Sequence, residues 1–427
     1  MNSLQEALLA AGLLPLTCTD HAAEVGILHT EHVALLQTIS LKWGVSLKPR
    51  WFSAAEFHTE RQQALQAHCY SAFQTEPHSA PPLSYFSEVV LQHAVLHNAS
   101  DIHIEPTAEN VMVRFRQDGL LQVITTLHTA HAPLIANHFK ILSHLDIAEK
   151  RLPLDGQFTY RFSDETTHTF RLSTCPSVYG ESLVMRRLPQ SHTHSWDTLG
   201  LLPADQQIFR EALDEPHGLI LVTGPTCSGK TATLYTAIQH LATHERKVLT
   251  IEDPVEMIVP NVIQVNSQPK IGLDFSHAIR AFLRHDPDVI LIGEIRDTET
   301  ATAAIRAAHT GHLVLATLHT PNTLEALTRL VHLGIPRFEL TSTITLIVAQ
   351  RLIRKRCETG YRGRTGIFEL LRMSPALKTA FLAGQAMPTL TELAKETGWI
   401  ALVERGQQAV SAGITDTAEW RRVCGSL

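Results

Sequence analysis

A chain of 427 residues, 44% hydrophobic and 18% charged with a formal net charge of −6, has material for about two to four domains with buried cores, and no window approaches the ~18 uninterrupted apolar residues that span a bilayer. The acidic balance argues against a general polyanion-binding surface. Six scattered cysteines (Cys18, Cys69, Cys175, Cys227, Cys357, Cys424) without a C-x-x-C pair argue against disulfides and a four-cysteine zinc site, and the 25 histidines lack metal-ligand spacing and read mostly as solvated positions.

In chain order, Met1 to Glu6 lacks the basic stretch of a secretory signal, so a cytoplasmic protein is expected. Residues 1–73 alternate helical patterns, such as Leu4 to Leu9, with short apolar stretches. They hold no catalytic constellation, and a small docking domain is expected. Gln74 to Pro82 has the proline-rich, polar composition of a linker, which places a boundary over 74–84. Ser84 to Asn98 reads as a helix. Period-two alternation then predicts strands at Asp101 to Pro106, Val111 to Arg116, Thr169 to Thr174 and Ser182 to Arg186. These form an α+β module over 85–190. Its regularly spaced Arg114, Arg116, Arg171 and Arg186 either solvate one sheet face or present a phosphate-facing surface.

Gly218 to Thr223 is an apolar run of strand length that meets Gly224-Pro225-Thr226-Cys227-Ser228-Gly229-Lys230-Thr231, a G-x-x-x-x-G-K-T turn opening a helix from Ala232 to Leu241. Loop amides and the helix N-terminus suit phosphate, Lys230 suits the β- and γ-phosphates, and the Thr231 hydroxyl suits Mg²⁺. Thr233 completes the expected ATP-binding set. Three further apolar strands end in acidic or polar residues, at Glu252 to Glu256, Gly293 to Asp297 and Thr317 to Thr320. Such strands belong to a parallel sheet covered on both faces, with chemistry at their carboxyl ends. Glu294 stands where a carboxylate would orient water, or else caps the next helix. Glu252, as a catalytic group, and Asp253 suit the Mg²⁺ shell or its water, or else form the turn before Pro254. His312 and His319 suit a γ-phosphate sensor or a relay to a neighbouring subunit, or else are core histidines. Arg280 and Arg284, four apart on a helix, reach phosphate or salt-bridge. From Gln350 the chain is basic and then helical: most charges in Arg351 to Arg356 read as solvated, Thr359 to Gly366 as a turn-rich hairpin, and 372–427 as a helical domain.

These blocks, in this order, resemble the secretion ATPase superfamily, specifically the assembly ATPases of type II secretion systems and type IV pili. The motifs are the Walker A loop, the Glu252-Asp253-Pro254-Val255-Glu256 block, the Walker B block Asp286 to Asp297 and the histidine block Thr310 to Thr320. Asp101 to Pro106, Arg151 to Gly156 and Gly360 to Gly366 also match. The resemblance covers residues 84–427. It implies an α/β fold in which a RecA-like P-loop domain over 191–350 follows a PAS-like α+β module and a small N-terminal domain, with a basic hairpin and helical region over 351–427. It also implies a Mg²⁺-dependent homo-hexamer that hydrolyses ATP, sits peripherally on the inner membrane through a platform protein, and powers assembly of pili or pseudopili. By position Arg171 and Arg186 match phosphate-contacting arginines supplied across the subunit boundary.

Three departures stand out. The zinc-binding insertion between Arg356 and Thr359 is absent, so no zinc is expected. Cys227 replaces a glycine, a strain if that backbone needs φ > 0. The N-terminal domain has no recognisable counterpart. A pilus-retraction ATPase and a nucleotide-binding scaffold without turnover are alternative readings. Acidic charge and the lack of an aromatic-basic groove argue against a nucleic-acid translocase.

Overall fold

The computed structural model describes residues 4, 8, 11, 13–18, 22–75, 82–162, 165–188 and 195–425, and divides into two units, Met1–Leu188 and Pro189–Leu427. Most of the Leu4 to Leu9 pattern, residues 76–81 of the expected linker and the expected boundary at 190/191 lie outside the described residues.

The first unit opens with a three-stranded sheet, β1 (Leu14–Cys18), β2 (Ala22–Ile27) and β3 (Ser46–Trp51), in which the helix Glu31–Trp43 carries the chain between parallel β2 and β3. Helix Ala54–Ala72 starts at a capping box between Ser53 and Glu56, a reciprocal pairing that satisfies free amides at the helix start. Its last turns place Cys69, Tyr70 and Phe73 in one core with Phe86, Val90 and Ala94 of helix Leu83–Leu96. That core underlies a six-stranded antiparallel sheet of β4 (Asp101–Pro106), β5 (Val111–Gln117), β6 (Leu120–Leu127), β7 (Leu154–Arg161), β8 (Thr167–Ser177) and β9 (Gly180–Arg187), ordered β6-β5-β4-β9-β8-β7. Alternation sends Ile102, Ile104, Val113, Phe115, Phe170, Leu172, Leu183 and Met185 inward. Asp101, Arg116, Arg186 and Arg171 therefore stand in register across four strands of the opposite face.

The second unit is built on seven strands: β10 (Gly218–Thr223), β11 (Val248–Glu252), β12 (Val262–Asn266), β13 (Val289–Ile292), β14 (Leu313–Leu318), β15 (Ile344–Cys357) and β16 (Gly360–Arg372), ordered β12-β11-β13-β14-β10-β15-β16. The first six run parallel and β16 returns antiparallel. Both faces are covered, which explains the unbroken apolar strands. Along β10, Leu219 and Leu221 enter the core under helices Phe275–Phe282, Thr298–His309 and Thr323–His332, whereas Ile220 and Val222 enter the core under helices Pro203–Leu213 and Lys230–Leu241. Among the described residues no helix is long and apolar enough to cross a membrane.

The chain after Gln350 continues as strand, and the β15–β16 hairpin closes tightly between paired Cys357 and Gly360. Its basic residues are only partly solvated: Arg351 is buried, and Arg354 binds Glu419 through Nε and Nη2 at 2.9 and 2.7 Å while stacking 3.8 Å over Tyr361. A strand covered on both faces explains it, because positions on either side then turn inward whatever their charge. Helices Pro375–Leu382, Met387–Glu396, Leu402–Ser411 and Thr417–Cys424 complete the unit.

Glu419, fully buried, also takes Arg422 at 2.6 and 2.7 Å. Burial pushes its carboxyl up, but the bonds from Arg422 and Arg354 outweigh this and hold it at about 2, against an ordinary 4.5. A pKa lowered by folding stabilises above the unfolded value, and that contribution is lost as pH falls from 4.5 towards 2. Glu419→Gln is expected to cost about 3 kcal/mol, the low end for breaking a buried pair because Arg422 is 39% exposed. Thermal melts between about pH 6 and about pH 3 check this: the variant should melt lower at the upper end and lose less on acidification than the wild type.

Candidate active site

At the carboxyl end of β10 the Thr223 hydroxyl bonds the Thr320 hydroxyl (2.7 Å) and accepts the Thr320 amide (2.9 Å), tying the loop entrance to the end of β14. The loop then needs left-handed backbone at Gly224 (φ +152°) and Gly229 (φ +92°). A Cβ at either would lie 2.6 to 2.7 Å from Gln350 atoms, so only glycine fits. Helix Lys230–Leu241 begins immediately afterwards, with Thr231 exposed in its first turn. The Ser228 hydroxyl is buried without a hydrogen-bond partner. Lys230 Nζ folds back onto the carbonyls of Gly224 (2.7 Å) and Pro225 (3.0 Å). Burial lowers its pKa to about 8, the Glu294 charge opposing and Arg351 reinforcing the shift.

Cys227 is exposed at φ +63°, the left-handed region that Cβ disfavours. The loop therefore forms with a strained residue. Cys227→Val, β-branched and more strongly excluded from this region, is expected to destabilise by a further ~1–2 kcal/mol. That corresponds to a melting point roughly 2–8 °C lower. Cys227→Gly should show no such loss, and thermal melts of the two variants side by side check the difference.

Parallel register brings the other strand ends to the same edge. Thr223 pairs with Leu318 and Ile292 with Ala316, so Glu294 and His319, each just past its strand, follow at the carboxyl end where the loop begins. Glu294 Oε1 accepts Arg296 Nη2 at 2.5 Å, and its Oε2 lies 3.4 Å from His319 Nε2. Burial first, then the Lys230 charge, push the His319 pKa down against the pull of Glu294, so the ring is neutral at pH 7. Beside Glu294 opens a cavity of about 600 Å³ whose lining includes Arg296, His319, Glu325 and Arg329.

Other candidates fall elsewhere. His312 precedes β14, and its carbonyl accepts the amide of Gly218 at the start of β10. The six-residue strand, about 20 Å long at 3.3 Å per residue, separates it from the loop, and its Nδ1 lies 2.9 Å from the Ala307 carbonyl. His312 therefore stands at the entry of the strand, away from its own chain's phosphate loop. Glu252 is buried and takes Tyr235 (2.6 Å), Thr250 (2.6 Å) and Gln264 (3.3 Å), bonds that brace the strand end. Tyr235 in turn accepts the amides of Glu256 and Met257. Asp253 stays exposed, and its charge acts on Arg296. Arg280 bonds Ser276 and Arg284 bonds the Arg280 carbonyl, so both turn back on their own segment.

In the first unit the arginines sit in a lattice of ion pairs. Arg114 binds Glu105, Arg186 Nε binds the buried Asp101 at 2.8 Å, Arg116 lies 3.7 Å from the same carboxylate, and Arg171 lies 3.7 Å from Asp155. The sequence reading missed Gln350 and Arg351, which border the loop from β15. Thr233 Oγ1 donates to Gln350 Oε1 at 2.7 Å, and Arg351 holds the carbonyls of Gln350 and Pro321.

With this geometry in hand, the chain can be set beside known proteins. Residues 76–422 match the family described as type II/IV secretion system protein. The "Protein transport protein HofB homolog" of Haemophilus influenzae is 36% identical, covering 99% of this chain and 92% of that protein. The "Type IV pilus assembly ATPase PilB" of Acinetobacter baylyi is 37% identical over 81% of this chain and 66% of its own length. Among solved structures, the pilus retraction motor PilT with bound ADP superposes with a TM-score of 0.59 at 27% identity, covering 78% of this chain and 95% of PilT. The α/β fold with its RecA-like P-loop domain is thus shared with secretion and pilus ATPases.

Proposed function

The chain belongs to the type II/IV secretion system protein family, and from that premise we propose that it is a Mg²⁺-dependent ATPase motor that powers assembly of type IV pili or type II secretion pseudopili. The observation that carries the reading is the convergence of the G-x-x-x-x-G-K-T loop, Glu294 and His319 at one sheet edge. Loop amides bind phosphate, and Lys230 leaves the Gly224 and Pro225 carbonyls to meet the γ-phosphate. The exposed Thr231 hydroxyl and the unpartnered Ser228 hydroxyl fit a Mg²⁺–phosphate ligand, with Asp253 as a further candidate on the metal's water. Mg²⁺ supplies charge neutralisation on the β- and γ-oxygens when bound. Glu294, released from Arg296, orients the attacking water.

We propose a homo-hexamer in which Arg171 and Arg186 serve the transferring phosphate, held peripherally at the inner membrane by a platform protein. Likeness to PilT favours the alternative of a retraction motor. Higher identity to PilB over a similar share of the chain favours assembly. The test is ATP hydrolysis by the purified full chain over a wide concentration range, with Lys230→Ala as the blank. Specific activity should rise with protein concentration and vanish on chelation of Mg²⁺. Binding of ATP with turnover no faster than the blank at any concentration would leave the nucleotide-binding scaffold.

A further inference from the structure

Both glycines of the phosphate loop face one residue. The Gln350 carbonyl oxygen lies 2.6 Å from where a Cβ on Gly224 would be, and its Nε2 lies 2.7 Å from the corresponding point on Gly229. Gln350 is 1% exposed and sits one position past the pair Thr223–Ala349, so β15 delivers it directly beside the loop entrance. Its Oε1 accepts Thr233 Oγ1 at 2.7 Å from the first turn of the helix that follows the loop. Its carbonyl also accepts Arg351 Nη1 at 3.0 Å, and Arg351 Nη2 reaches the Pro321 carbonyl at 2.8 Å beyond the end of β14. One residue therefore touches the entrance, the exit and the helix that carries Lys230 and Thr231.

We propose that Gln350 is a positioning residue for the nucleotide site, holding the loop in its phosphate-ready shape before nucleotide arrives. This rests on the reading of the loop as an ATP site. Three residues of the loop, Gly224, Cys227 and Gly229, have positive φ, so the loop has little local preference for its own conformation. A buried template on the neighbouring strand supplies what the loop lacks. The Gln350 side chain fixes Thr233 with its oxygen and seats Gly229 with its nitrogen, and its main chain seats Gly224. Without that template the loop populates other shapes, and apparent affinity falls by the fraction still competent, whereas saturating nucleotide restores the competent form.

The signature is therefore a rise in Kd and KM for ATP larger than any fall in kcat. Equilibrium titration of the full chain with a fluorescent ATP analogue, together with steady-state turnover and thermal melts without nucleotide, tests it on Gln350→Ala, Thr233→Val, Thr233→Ser and the double variant Gln350→Ala/Thr233→Val. Gln350→Ala and Thr233→Val should each weaken binding about tenfold, the factor made by ~1.4 kcal/mol. The double variant should be no worse than the weaker single, because both remove one bond, and Thr233→Ser should recover most of the loss seen with Thr233→Val. Should Gln350→Ala fail to fold, the two Thr233 variants carry the same comparison. Unchanged Kd with a lowered melting point would reduce Gln350 to a packing residue and overturn the proposal. Additive losses in the double variant would overturn it as well. Wild-type protein that binds no nucleotide would remove the ATP-site reading and this inference together, and is told apart by its own titration.

Discussion

Glu294→Gln is expected to bind ATP and to lose turnover by about 10² to 10⁴, the usual worth of a positioned general base. Glutamine keeps an oxygen that can accept from Arg296, so the local fold is retained, but it cannot orient and deprotonate water as a carboxylate can. Steady-state hydrolysis and equilibrium binding measured on one preparation separate the two effects. A variant that turns over like the wild type would move the catalytic carboxylate elsewhere. The substitution has a second consequence through Lys230. Burial holds that amine at about 8 and the Glu294 charge opposes the shift. A lowered lysine pKa leaves the cation present below it and lost as pH rises through it. Wild-type affinity for ATP should therefore decline above about pH 8, and in Glu294→Gln, where the supporting charge is gone, the decline should begin at lower pH. Titrations between about pH 6.5 and about pH 9.5 compare them.

The legibility of the chain follows what determines each element. Gly218 to Thr231 is readable because an all-buried strand, a turn fixed by glycine and a helix start leave three independent local signals in fourteen consecutive residues. Glu294 and His319 are readable because parallel strands end together, so position after an apolar run locates them. The place of His312 is harder to read: it belongs to the same block as His319, but lies before the strand instead of after it. The bonding of Glu252 is not readable, because sequence shows a carboxylate at a strand end and not the three donors that reach it. Gln350 and Arg351 are hidden by non-local pairing. Nothing near them in the chain says that residue 350 will lie against residues 224, 229 and 233. The same applies to Arg354, whose carboxylate partner is sixty-five residues away.

Arg171→Ala is expected to lower turnover by about 10³ to 10⁵, the worth of an arginine that stabilises charge on a transferring phosphoryl group. The face that carries it sets four guanidiniums, Arg114, Arg116, Arg171 and Arg186, against three carboxylates, Glu105, Asp101 and Asp155, and so keeps positive charge in excess. The two candidates differ in how firmly they are held. Arg171 lies 3.7 Å from an exposed Asp155 and can exchange that partner for phosphate at small cost. Arg186 holds Asp101, only 3% exposed, at 2.8 Å. Arg186→Ala should therefore lose stability along with turnover, since the buried carboxylate is left with only the Ser100 hydroxyl at 2.8 Å and Arg116 at 3.7 Å. Melts beside kinetics discriminate: Arg171→Ala should melt like the wild type, Arg186→Ala lower. If the arginine acts in trans, as the resemblance implies, mixing inactive Arg171→Ala with inactive Glu294→Gln subunits before assembly should restore part of the turnover, because some shared sites then receive both intact groups. Mixtures as inactive as their components would assign the arginine to its own subunit's chemistry.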